Sequence, residues 1–116
     1  MAYDEVEHNK ALLRPGLGFR EAQELAYPVP EECRKNAYPC IYHAVGLCDE
    51  YPQVKPLFRG PNAYDGAFEA GMVICVESYM GPEGERDGVK LEQQVLITEE
   101  GCDVLTTYPF EEILLE

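Results

Sequence analysis

Apolar positions gather most densely in two runs, residues 72–79 (MVICVESY) and 89–98 (VKLEQQVLIT). Blocks of Val, Ile, Leu and Tyr of this length predict strands, and the Gly-, Pro- and charge-rich loop from Gly81 to Gly88 predicts that they pair as a hairpin. Earlier in the chain the period changes. Residues 3–13 (YDEVEHNKALL) predict a short helix, with acids in the first turn to complement its dipole and a thin apolar stripe of Val6, Leu12 and Leu13. Arg14-Pro15-Gly16 ends it. A second helix is predicted from about Gly18 through FREAQELA, stopped by Pro28 and Pro30, and a third short helical piece at EECRKN. Residues 38–46 (YPCIYHAVG) predict a strand running into a turn. The proline-rich stretch 47–66 reads as an irregular loop lining something, because long loops in compact domains tend to be functional. Glu99-Glu100-Gly101 predicts a tight turn, CDVLTT a final strand, and PFEEILLE a short acidic-apolar tail.

Each dense run carries one carboxylate in its interior, Glu77 and Glu92. Alternation of faces would send both to solvent. The other arrangement places them opposite each other on one face of the hairpin, where like charges repel unless a metal ion or a shared proton lies between them. The residues alone leave both arrangements open.

Charge narrows the partners. The chain has 22 Asp+Glu against 9 Lys+Arg and a formal net charge of −13, with no basic cluster, so a nucleic-acid backbone or an anionic membrane surface would be repelled. No apolar run approaches the ~20 residues that span a bilayer, and the acidic start MAYDEVEHNK is wrong for a signal peptide. Cys33, Cys40, Cys48, Cys75 and Cys102 are odd in number and scattered, which fits reduced thiols in a cytoplasmic protein.

His43, at the end of a predicted strand, is the histidine in a position to act; His8 falls on the outer side of a surface helix. His43 with Glu77 and Glu92 would form a mixed nitrogen and oxygen site suited to iron, manganese, cobalt or zinc. Cys40-x-x-His43 with Cys48 is a rival zinc set, although its spacing matches no standard finger and a fourth ligand is missing.

The order HAVGLCDEYP, then GMVICVES, then GVKLEQQVLITEEGCDVLT resembles the M24 (creatinase/methionine-aminopeptidase) metalloenzymes, the pita-bread family. The matching positions are His43/Gly46/Leu47, then Gly71/Met72/Glu77, then Glu92/Thr98/Gly101/Leu105/Thr106, and HNKALLRPGLGFRE resembles the family's helix–Pro-Gly–helix segment. The resemblance implies an α+β fold: the C-terminal half of a pita-bread domain over residues 1–116, a curved antiparallel sheet with helices packed on one face. It implies His43, Glu77 and Glu92 as metal ligands, with iron first and zinc or manganese as alternatives. A small-molecule substrate is implied, and a homodimer for the full-length family.

Two departures sharpen this. Proline-peptide hydrolases of the family continue the His motif into Val-His-Glu, whereas Cys48-Asp49-Glu50-Tyr51-Pro52 stands here. The wording is most similar to the branch that cleaves dimethylsulfoniopropionate, which implies Asp49 as the base for the substrate's α-proton and Tyr38 at the substrate. The family's metal site also takes aspartates from an earlier hairpin that is absent ahead of Met1, so the expectation is a partial catalytic domain holding part of the ligand set, with a non-catalytic fragment of the family as the alternative.

Overall fold

Residues 1–115, which the computed structural model describes, form two α-helices and five strands with three single turns of 3-10 helix. Helix α1 spans Ala2–Leu12 and α2 spans Phe19–Leu25. The strands are β1 (Tyr42–Val45), β2 (Asp49–Val54), β3 (Val73–Met80), β4 (Val89–Ile97) and β5 (Cys102–Val104). They form one sheet in the order β2-β1-β3-β4-β5, antiparallel at every pairing.

Register divides the sheet into two faces with different chemistry, because successive side chains on a strand point to opposite sides. Ile74, Val76, Ser78 and Met80 of β3 pair with Val95, Gln93, Leu91 and Val89 of β4. This face is covered by α1, with Val6 and Leu13 buried on the helix side and Ile74, Val76 and Val95 on the sheet. Tyr42 continues the same face on β1, packed edge-on against Phe68, which packs in turn against Phe19. The other face carries Cys75, Glu77 and Tyr79 opposite Gln94, Glu92 and Lys90.

Polar contacts fix how α1 lies on the sheet. Glu5 and Asn9 face inward with Ala2 and Val6. The Ser78 hydroxyl donates to Glu5 Oε2 at 2.5 Å, the Tyr42 hydroxyl donates to the Asn9 carbonyl at 2.7 Å, and the Tyr27 amide donates to Asn9 Oδ1 at 2.8 Å. After α1 the chain reverses at Gly16, whose φ of +85° suits glycine and whose amide donates to the Phe68 carbonyl.

The sequence-based elements hold at the hairpin, at both helices and at the Glu99–Gly101 turn. EECRKN forms a single 3-10 turn, Glu31–Cys33, and the strand expected over 38–46 is regular only over Tyr42–Val45. Pro39, with no amide hydrogen to give, delays ladder pairing.

The stretch 47–66 departs furthest from expectation, because it contains β2 and a 3-10 turn over Leu57–Arg59. Pro52 ought to break a strand. Here β1 pairs His43 with Gln53 and the next residue, Ala44, with Glu50, so Tyr51 and Pro52 form a bulge in an edge strand where a missing donor costs nothing.

Glu5 makes stability depend on pH. Burial pushes its carboxyl up from the usual 4.5 to about 7, a shift the Ser78 hydroxyl only partly offsets. Below the unfolded value both states are protonated and the group has no effect. Between there and about pH 7 the unfolded chain ionises first, so stability falls as pH rises, by roughly 3 kcal/mol in all. Urea melts at pH 5 and pH 8.5 are expected to show this loss in the wild type and a much smaller one in Glu5→Gln.

Candidate metal centre

The face of the sheet away from α1 brings three strands together around His43. In β1, His43 stands opposite Cys75 of β3 and opposite Gln53 of β2. Two residues along β3, Glu77 pairs directly with Glu92 of β4. The two carboxylates therefore share a face, and solvent takes only one of them: Glu77 is 2% exposed, while the Glu92 side chain is 42% exposed.

A carboxylate as buried as Glu77 must have compensating partners. His43 Nε2 lies 2.9 Å from Glu77 Oε1 and 3.9 Å from Glu92 Oε1. The Lys90 ammonium pairs with Glu77 Oε2 and lies 3.1 Å from Glu92 Oε2. Lys90 is thus a cation shared by both carboxylates, on the same face and two residues before Glu92. Its ammonium also sits over the Tyr38 ring, 4.4 Å from the centroid, a cation–π contact that brings Tyr38 to the edge of the cluster. Asp49, largely exposed at the start of β2, reaches the other ring nitrogen: its Oδ1 is 3.8 Å from His43 Nδ1. The five residues named by the sequence, His43, Glu77, Glu92, Asp49 and Tyr38, therefore lie together.

His43 and Glu77 have the spacing of two neighbouring metal donors. His43 Nδ1 is 3.0 Å from the Ala44 carbonyl, a contact in which the nitrogen must donate. In the neutral ring this leaves a lone pair on Nε2, directed at the Glu77 carboxylate. A lone pair facing an anion at 2.9 Å needs a proton or a cation beside it. Metal–donor bonds of about 2.1 Å meeting at a right angle put neighbouring donors about 3 Å apart, which is the spacing of His43 Nε2 and Glu77 Oε1.

Burial alone would raise the Glu92 carboxyl, but hydrogen bonds from Cys75 and Lys90 and the nearby charges of Lys90 and His43 outweigh it and hold the group below its ordinary value. Glu92 is accordingly a ready anionic donor. The Cys75 thiol is pushed up to about 12, chiefly by burial and then by its hydrogen bond to Glu92.

Lys90 and Cys75 were missed from the sequence. Each stands two positions before an expected ligand, and the strand period of two would have put both on the ligands' face. The rival set is not assembled: Cys48 is exposed in the turn between β1 and β2, its Sγ against Glu50 Oε1 at 3.6 Å, so the described residues do not gather Cys40, His43 and Cys48 around one point. His8, exposed on α1, contacts the Leu25 carbonyl.

A sequence model of metallopeptidase family M24 matches residues 4–99. The chain is 42% identical over 115 residues to the dimethylsulfoniopropionate lyase DddP of Roseovarius nubinhibens, covering 98% of this chain and 26% of that protein. Against the enzyme of the same name from Roseobacter denitrificans it is 42% identical over 114 residues, covering 95% of this chain and 26% of the relative. The chain thus spans about a quarter of the length of the curated relatives it matches. Among solved structures, the prolidase from Pyrococcus furiosus superposes with a TM-score of 0.70 at 25% identity, over 94% of this chain and 31% of that one.

Lys90→Met removes the cation while keeping most of the aliphatic stem. It is expected to destabilise the metal-free chain by about 1–3 kcal/mol, the cost of a lost charged hydrogen bond to a buried group. Added Mn²⁺ is expected to recover more stability in this variant than in the wild type. Thermal melts with and without the ion check both.

Proposed function

The chain belongs to metallopeptidase family M24, and from that membership we propose that it is the metal-binding half of a lyase site that cleaves dimethylsulfoniopropionate to dimethyl sulfide and acrylate. One observation carries the reading: Glu77 and Glu92 pair across the β3–β4 ladder, and His43 Nε2 lies within 4 Å of a carboxylate oxygen of each. The similarity to two dimethylsulfoniopropionate lyases supports this branch of the family.

His43, Glu77 and Glu92 would hold the metal, iron first, with manganese or zinc as alternatives for a mixed nitrogen and oxygen set. When bound, the ion supplies a Lewis acid for the substrate carboxylate and so acidifies the neighbouring carbon. The chain's own residues supply the rest. Asp49, exposed beside His43, is the base: its carboxylate takes the α-proton, the electron pair forms the Cα–Cβ double bond, and the Cβ–S bond breaks to release dimethyl sulfide. Tyr38 offers its ring face to positive charge, as its contact with Lys90 illustrates, and would orient the sulfonium. The substrate is a small molecule, and the five free cysteines suit a reducing, cytoplasmic setting. Among the described residues no helix is long and apolar enough to cross a membrane. By analogy with the full-length family, a homodimer is proposed.

A proline-dipeptide hydrolase is the second reading, favoured by the likeness to prolidase. It is disfavoured by Cys48-Asp49-Glu50 where the hydrolases carry a second histidine. The two readings separate in one assay. Iron-loaded chain is expected to release dimethyl sulfide from dimethylsulfoniopropionate, and Asp49→Asn to lower the rate by about 10²-fold or more. Release unaffected by Asp49→Asn would remove Asp49 from its role. Cleavage of a proline dipeptide with no dimethyl sulfide would overturn the lyase reading.

A further inference from the structure

Cys75 lies within the cluster but belongs to none of the motifs that pointed to it. Its register partner on β1 is His43, and it shares its face with Glu77, two residues on. Glu92 stands diagonally across the β3–β4 ladder, within reach of a side chain at the Cys75 position. His43, Cys75 and Glu92 each offer a ligand atom, and these atoms lie within 4.8 Å of one another. Gln94 Nε2, on the far side, points at the Cys75 sulfur from 3.9 Å. Cys75 is 5% exposed. Its polar surroundings are therefore those of the cluster.

We propose that the sheet carries a second, softer donor set, His43–Cys75–Glu92, which overlaps the His43–Glu77–Glu92 set and takes zinc-class ions through the Cys75 sulfur. The proposal deepens the metal-centre reading above and rests on it. The two sets share His43 and Glu92 and differ in one donor. Glu77 is held by His43 at Oε1 and by Lys90 at Oε2, so both of its oxygens are already partnered. Cys75 has no cation beside it to displace; an ion that binds it replaces the thiol proton and its hydrogen bond to Glu92. Oxygen donors suit manganese and iron(II), whereas thiolate suits zinc, cadmium and cobalt as zinc's probe.

Tetrahedral bonds of about 2.0–2.3 Å place donors roughly 3.3–3.8 Å apart, so the observed spacing closes by side-chain rotation of about an ångström. On binding, the metal–sulfur bond forms, the thiol proton leaves to solvent, and no electron is transferred. Water completes the coordination.

Cobalt(II) alone is the probe, added to the full chain under reducing conditions. The expected spectrum has visible d–d bands and a sulfur-to-cobalt charge-transfer band in the near ultraviolet. That band is lost in Cys75→Ser and Cys75→Ala and kept in Cys40→Ser, Cys48→Ser and Glu77→Gln. Independently of any variant, X-ray absorption at the cobalt edge of the wild-type chain is expected to show a sulfur neighbour at about 2.3 Å. Bound cobalt with only nitrogen and oxygen neighbours, or a sulfur band that survives Cys75→Ser, would overturn the Cys75 assignment and leave the metal centre standing. Absence of any cobalt spectrum would overturn both.

Discussion

Everything at the working face of this sheet follows from a pair of like charges placed opposite each other in an antiparallel ladder. Glu77 and Glu92 are direct partners on β3 and β4, and one of them is almost wholly withdrawn from water. Two carboxylates in that position are tolerated only with positive charge between or beside them. Lys90 provides such a charge to both carboxylates. A metal ion would serve in the same place. The arrangement is therefore a standing demand for a cation.

The opposite face of the same strands meets a different requirement, which is to bury the sheet beneath α1. Most of that contact is apolar, but it is registered by polar pins: Glu5 on Ser78, and Asn9 between Tyr27 and Tyr42. Ser78 is the immediate neighbour of Glu77, so a contact that seats the helix adjoins the residue that seats the site. Displacement of α1 would be felt at the carboxylate pair through one peptide unit.

Much of this was legible beforehand, for physical reasons. The β3–β4 hairpin announced itself through two apolar runs and a Gly/Pro-rich loop, but its register did not: the predicted bounds would set Tyr79 against Val89, whereas Met80 holds that place and Glu77 therefore faces Glu92. His43, Glu77 and Glu92 stood out as polar residues inside apolar strands, and the structure gathers them with Asp49 and Tyr38. β2 was hidden by Pro52, read as a breaker when a bulge absorbs it. Glu5 counted in the sequence only among first-turn acids that suit the helix dipole, although its spacing from Ala2, Val6 and Asn9 places it on the buried face. Cys75 and Lys90 were hidden because a thiol and a lysine on a strand carry no signal by themselves. Only their position two residues before Glu77 and Glu92 identifies their face.

The central claim is that the carboxylate pair and His43 hold a metal ion. Elemental analysis of the purified, desalted chain beside its Glu92→Gln variant tests it most directly, because Glu92 is half-exposed and the change is nearly isosteric. The account predicts near-stoichiometric iron, manganese or zinc on the wild-type chain and its loss in Glu92→Gln. A wild-type chain that retains no metal, or a variant that retains as much as the wild type, would contradict it.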